Sequence, residues 1–222
     1  SAQTGNVAQS NCEACPAGSH CGAGAVTPSL CAAGAYSDSD RAAECTACNA
    51  GEFQASKGQT ACDVCTAGGY CPEGAVTPSL CAAGSFSNDL GNVNQSDCGV
   101  CPAGLYCPAG SIAPAACGTG TYSELPGATG CAACAAGTYQ DEEQSTACKT
   151  CTLGGYCGVR SSVAKPCDAG SYGNQSGLQS QEQCITCPEG AACSLGATEP
   201  ILCAAGNVAN ATGSEECAPC TA

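Results

Sequence analysis

Cysteines that return in pairs two residues apart, at a nearly fixed interval, leave this chain little choice of fold. In Cys131-Ala-Ala-Cys134-Ala-Ala-Gly137-Thr-Tyr139-Gln-Asp-Glu-Glu-Gln-Ser-Thr-Ala-Cys148-Lys-Thr-Cys151, two Cys-x2-Cys pairs bracket a loop of 13 residues. The rest of the sequence varies this phrase. Long units read Cys-x2-Cys-x5-Cys-x9-Cys and begin at Cys12, Cys62, Cys98, Cys148 and Cys184. Short units are a single Cys-x2-Cys, at Cys45/Cys48, Cys131/Cys134 and Cys217/Cys220. Spacers of 13 residues join long to short units and spacers of 16 join long to long, giving a super-period of 86 residues from Cys12 to Cys98 to Cys184. The repeat blocks are therefore 12–97, 98–183 and a partial 184–222, with a partial loop over 1–11.

Glycine and aromatic positions follow the same metre. Each loop-opening cysteine from Cys15 to Cys203 has Gly three residues on. Five residues on stand Tyr36, Phe53, Tyr70, Phe86, Tyr106, Tyr122, Tyr139, Tyr156 and Tyr172, which are all nine aromatic residues other than histidine; His20, Ala192 and Val208 are the exceptions. A tight turn with positive φ at the glycine explains the first position. A ring stacked on the neighbouring disulfide explains the second, and such rings are expected to be the whole core of each unit.

Composition supports cross-links over a conventional interior. The chain has 26 cysteines in 222 residues, no Met, no Trp and only two Phe. Large apolar side chains are too few for an ordinary core at this length. A regularly spaced cysteine set of this density is a disulfide framework, which places the chain in an oxidising space, extracellular or at the cell surface. The expected fold class is small disulfide-rich repeats: an elongated rod of tandem cysteine-rich modules with short β-strands and turns and almost no helix, each unit touching only its neighbours.

Charge excludes one function class. The net charge is −14, and only Arg41, Lys57, Lys149, Arg160 and Lys165 are basic, so the basic face that nucleic acid requires is missing. No apolar run approaches the roughly 18 residues of a membrane-spanning helix. Neither a signal peptide nor a lipid-anchor tail is visible, so the sequence reads as a mature form or a fragment.

The simplest cysteine pairing closes each loop locally. It joins Cys31 to Cys45, Cys48 to Cys62, Cys81 to Cys98, Cys117 to Cys131, Cys134 to Cys148, Cys167 to Cys184 and Cys203 to Cys217. Small rings then join Cys15 to Cys21, Cys65 to Cys71, Cys101 to Cys107, Cys151 to Cys157 and Cys187 to Cys193. A crossed alternative pairs Cys15 with Cys31 and Cys21 with Cys45, and spacing leaves both open. The local pattern leaves Cys12 and Cys220 over. Residues 5–12 align with 91–98, the end of a complete loop, and Cys220 is a loop-opener, so the chain reads as starting and stopping inside repeats. An inter-subunit or inter-segment role is expected for Cys12 and Cys220, with copies of the chain or neighbouring repeats as head-to-tail partners.

Other constellations have plainer readings. Cys45, Cys48, Cys62 and Cys65 resemble a four-cysteine zinc site, as do Cys131, Cys134, Cys148 and Cys151, but they sit in an unbroken ladder of cysteines without histidine. Redox-active Cys-x-x-Cys is disfavoured by the eight copies. His20 occupies an aromatic position and reads as a packed ring. Asp141-Glu142-Glu143 lacks a calcium-loop pattern and reads as a solvated tip. No metal, cofactor or catalytic set is expected, and so no enzyme. Three sequons, at Asn94, Asn174 and Asn210, are expected to carry N-glycans. Thr27-Pro-Ser29 and Thr77-Pro-Ser79 are weaker O-glycan candidates.

The phrases Cys101-Pro-Ala-Gly-Leu-Tyr-Cys107-Pro-Ala-Gly and Cys134-Ala-Ala-Gly-Thr-Tyr, ending in Cys-x-x-Cys, resemble the ephrin-receptor-like cysteine-rich repeat, a relative of the tumour-necrosis-factor-receptor module. The resemblance covers nearly the whole chain. It implies local loop disulfides, an elongated stack and no catalytic residues; such repeats occur in receptor ectodomains and in surface coats and appendages of single-celled eukaryotes. The functional expectation is a structural segment or subunit of a glycosylated extracellular filament, appendage or coat. The alternative is a ligand-binding or adhesion ectodomain, which should break the pattern with exposed anchors. Val159-Arg160 and Ile201-Leu202 are the nearest approach to such a break.

Overall fold

The computed structural model describes residues 15–25 and 27–220. Cys12 and the partial loop over 1–11 lie outside them. The chain divides into two compact units, one running to Val100 and taking in Pro108–Ala113, the other holding Cys101–Cys107 and continuing from Pro114. The described residues form small disulfide-rich repeats: two-residue strands paired as twelve antiparallel hairpins, five in the first unit and seven in the second. The helical content described is two 3₁₀ turns, Gln95–Asp97 and Gln181–Gln183, each inside a loop with a 16-residue spacer.

One hairpin explains the rest of the first unit. After Cys48 the chain turns through Asn49–Glu52, closed by the Glu52 amide donating to the Asn49 carbonyl at 3.0 Å. Gly51 takes φ 90°, which a side chain would resist. The strand Glu52–Phe53 then pairs with Asp63–Val64, with Phe53 opposite Asp63. The loop between the strands is fixed by the Cys48–Cys62 bridge.

Three main-chain hydrogen bonds tie this hairpin to the one that follows. The Gly51 amide donates to the Cys71 carbonyl at 2.8 Å, the Gln54 amide to Ala75 at 3.0 Å, and the Gly74 amide back to Cys48 at 2.8 Å. The second unit repeats the set: Gly137 donates to Cys157, Gln140 to Ser161, and Arg160 to Cys134, at 2.8, 3.0 and 2.8 Å. The stack is thus held by backbone groups that every residue type carries, and that is why side chains vary freely between repeats.

Two expectations need correction. Hairpins touch more than their immediate neighbours. A Cβ on Gly51 would stand 2.6 Å from the Gly91 carbonyl oxygen, and one on Gly137 would stand 2.5 Å from that of Gly177, each two hairpins further along. The turn glycine is needed for space as well as for φ. Nor are the rings the whole core. The largest fully buried side chains are half-cystines, including Cys31, Cys48, Cys65, Cys81, Cys101, Cys117, Cys134, Cys151, Cys167 and Cys187. The rings are half-buried covers, as Phe53 is over Cys65 and Cys71 and Tyr172 over Cys187 and Cys193. A layer one cystine thick has no room to enclose a phenol or phenyl ring completely.

Where a carbonyl presses on a turn glycine, it belongs to a second residue with positive φ. Glycine usually fills that station, but Gln144 stands there beside Gly104 and Arg160 beside Gly120, at φ 58° and 62°. Gln144→Gly and Arg160→Gly should therefore stabilise their hairpins by about 1 kcal/mol each by removing left-handed strain. Gly51→Ala should destabilise by more than about 1 kcal/mol. Amide exchange at Gly74 and Gly91 reads the glycine variant, and amide exchange at residues 144 and 160 reads the other two.

Candidate functional site

The repeated element, a cystine-based hairpin and its surface, is the candidate site. Among the described residues there are twelve bridges. Five close small rings six residues apart: Cys15–Cys21, Cys65–Cys71, Cys101–Cys107, Cys151–Cys157 and Cys187–Cys193. Five close loops 14 apart: Cys31–Cys45, Cys48–Cys62, Cys117–Cys131, Cys134–Cys148 and Cys203–Cys217. Cys81–Cys98 and Cys167–Cys184 span 17. The crossed pairing is absent among the described residues. Of the first four cysteines with zinc-like spacing, Cys48 and Cys62 bridge each other, while Cys45 bonds Cys31 and Cys65 bonds Cys71.

Cys220 is exposed and unbonded among the described residues. Its amide donates to Gly206 at 2.9 Å, as Cys65 donates to Gly51 at 2.8 Å, so it holds the main-chain station of a bonded opener. Asn94, Asn174 and Asn210 are all exposed. Asn94 caps the 3₁₀ turn, accepting from the Ser96 amide at 2.9 Å, while Asp97 accepts from the amides of Val93 and Asn94 at 2.8 and 3.1 Å.

The sequence reading missed the residue six places after each opener. In four small rings it is a buried closing cysteine, Cys71, Cys107, Cys157 or Cys193; in the wide loops it is Ser37, Gln54, Ser87, Ser123, Gln140, Gly173 or Ala209, also buried. The polar members brace the loop from inside. Gln54, 7% exposed, donates to the Ala61 carbonyl at 3.0 Å and accepts from the Ser56 amide at 3.0 Å. Gln140, 3% exposed and 86 positions later, donates to Ala147 at 2.6 Å and accepts from the Glu142 amide at 3.0 Å. Asn92 does similar work, donating to Ser87 Oγ at 2.8 Å and to the Gly69 carbonyl at 3.1 Å. Among the described residues no buried side-chain nitrogen or oxygen lacks a partner. Exact coincidence of these residues with the cysteine of the small rings was the available signal.

Two surface features distinguish one stretch from another. In the first unit four of the residues just before an opening cysteine, Leu30, Val64, Leu80 and Val100, are large, apolar and 55–65% exposed, while Ala47 holds that station before Cys48. Val76, Val93 and Ile112 stand exposed as well, beside Gly34, Gly51 and Gly68. The second unit holds Ala116, Ala133, Thr150, Pro166 and Thr186 before opening cysteines, and only Leu202 restores a large apolar residue there. The second feature is at the acidic tip. Lys149 donates to Asp141 at 2.7 Å and lies 3.4 Å from Glu142.

Residues 34–75 and 120–166 match the family described as tyrosine-protein kinase ephrin type A/B receptor-like. These two stretches are similar to ephrin-receptor-like cysteine-rich repeats. Both begin at a turn glycine, Gly34 and Gly120, and their starts lie 86 residues apart, the period of the cysteine spacing. No individual curated protein matches the chain. Among the described residues no helix is long and apolar enough to cross a membrane. The matched repeats contain the brace residues as well as the cysteines: Gln54 lies in the first and Gln140 in the second.

Gln140→Ala should cost about 1–3 kcal/mol locally, because the Ala147 carbonyl and Glu142 amide lose their buried partner. Faster exchange of the Glu142 amide, with the Cys134–Cys148 bridge intact, is the expected readout. The acidic tip gives a second test. The hydrogen bond from Lys149 holds the Asp141 carboxyl below its ordinary value, and the bond to Asp141 holds the Lys149 ammonium above its own. The depressed Asp141 contributes above the ordinary carboxylate range and is lost as pH falls through its lowered value; the raised Lys149 contributes below the ordinary ammonium range and is lost as pH rises through its raised value. Both groups are exposed, so salt weakens the contact. Lys149→Ala should move the Asp141 titration midpoint upward in side-chain NMR.

Proposed function

We propose that the chain is a structural extracellular repeat protein, a segment or subunit of a glycosylated filament, appendage or surface coat that extends head to tail. One observation carries this reading. Within each unit, successive hairpins are joined by the same backbone donors and acceptors, so each offers its successor a ready template. Such a joint is indifferent to side chains and suited to repetition without limit. The repeat blocks 12–97, 98–183 and 184–222 are then the structural increments. Cys220, exposed at an opener's station, is the sulfur through which a following repeat, or Cys12 of another copy, would be joined.

The density of cystines suits an extracellular or cell-surface setting, where thiols are not kept reduced. Asn94, Asn174 and Asn210 are accessible for N-glycans, which would solubilise the surface. The role is non-catalytic: the side chains that vary least in type are those that build the hairpin.

A second reading, a ligand-binding or adhesion ectodomain, is favoured by the apolar stripe of the first unit. Seven exposed aliphatic residues recurring at two stations of one unit are a feature that uniform scaffolding does not require.

Negative-stain microscopy of native material together with a non-reducing disulfide map separates the two. Regular filaments, with Cys12 and Cys220 bridged between copies or to further repeats, are expected. Discrete short particles, or a bridge between Cys12 and Cys220 of one chain, would contradict the structural reading. Peptide mapping after enzymatic deglycosylation should show mass shifts at Asn94, Asn174 and Asn210, and unshifted peptides at all three would remove glycosylation from the proposal.

A further inference from the structure

His20 occupies the station that carries an aromatic ring in nine other hairpins, and it covers the next bridge along, Cys31–Cys45. Unlike a phenol or phenyl ring, it brings a lone pair to the sulfur. Its Nδ1 lies 3.3 Å from Cys45 Sγ. The nitrogen and the sulfurs of Cys31 and Cys45 all lie within 4.8 Å of one another. We propose that these three residues form a redox-gated zinc site, created when the Cys31–Cys45 bridge is reduced.

The chemistry balances with a small dithiol as reductant. The dithiol passes two electrons and two protons to the bridge and closes its own disulfide, leaving two cysteine thiols. Zinc then displaces the two thiol protons and takes two thiolates and the neutral imidazole as ligands. Bond lengths of about 2.3 Å to sulfur and about 2.0 Å to nitrogen place tetrahedral donors roughly 3.5–4 Å apart. Breaking the sulfur–sulfur bond lets Cys31 and Cys45 part to that spacing, and the imidazole needs little movement. The fourth position is left to water.

The frame around the trio does not depend on that one bridge. Cys31 is held by the Gly58 amide, which donates to its carbonyl at 2.9 Å, and by its own amide, which donates to Gly18 at 3.0 Å. The loop that carries Cys45 is bound to the hairpin of His20 by the Cys21 amide donating to Ala42 at 2.9 Å and the Arg41 amide donating to Cys15 at 2.7 Å. Cys31 is fully buried while Cys45 is half-buried, so a reductant reaches the bridge from the Cys45 side. Local pairing means that opening this bridge leaves the other eleven in place.

The test uses the full chain. It is treated without oxygen with limiting dithiothreitol, freed of reductant, titrated with zinc and alkylated with iodoacetamide. Zinc should bind the reduced chain and not the oxidised one, and should protect Cys31 and Cys45 from alkylation. His20→Phe places at this station a side chain that Phe53 and Phe86 already provide at theirs, so its fold should persist. Its zinc affinity should drop by more than about tenfold, the lower bound for losing even a ligand's supporting partner. The proposal is overturned if His20→Phe binds zinc as tightly as the parent chain. It is equally overturned if zinc leaves Cys31 and Cys45 unprotected, or if their bridge opens only when the hairpins of the first unit lose amide protection.

Discussion

A cystine at the foot of each hairpin decides where the main chain runs, and everything else in the structure follows from that placement. The bond closes a loop of at most 17 positions, so it constrains the chain locally, whatever the rest of the chain does. In the chain-entropy account a closure of about 15 residues is worth about 3 kcal/mol. With strands of two residues, hairpins of this size would not persist in water alone. The bridge makes each hairpin short enough to hold, and the backbone hydrogen bonds between hairpins then order them into units.

The turn glycine links those two levels. Gly51 is required by the positive φ of its own turn and again by the Gly91 carbonyl that packs against it from two hairpins along. A local signal in the sequence therefore reports a longer-range contact. Buried polar residues supply the remaining rigidity. Gln54 and Gln140 occupy the place of a ring-closing sulfur and substitute two hydrogen bonds for one covalent bond, so wide and narrow loops share one frame.

The fold was legible because it is covalent and periodic. Cysteine spacing, Gly137 and Tyr139 and their counterparts announced short hairpins, turns and repeats, and the two matched stretches keep the same 86-residue period. Spacing alone left two pairings open, since sequence separation does not say which sulfurs face one another. The contact between alternate hairpins was not legible, because it is made by carbonyl oxygens that carry no side-chain signature. Exposure of the aliphatic residues was equally hidden: nothing in the cysteine metre marks Leu30 and Leu80, and the layer is too thin to cover them. The lone histidine read as another packed ring, and only the 3.3 Å approach to Cys45 gave it a possible chemistry. Function was least legible, because a hairpin joined to its neighbour by backbone alone serves scaffold and receptor alike.

Amide hydrogen exchange on the fully reduced and alkylated chain tests the central claim most directly. If cystines stand in for a hydrophobic core, the amides of Gly51, Gly74, Gly137 and Arg160, which join hairpins in the native protein, should all exchange at unfolded-chain rates. Retention of slow exchange at those amides after every bridge is broken would show that something other than sulfur holds the repeats, and would contradict the account.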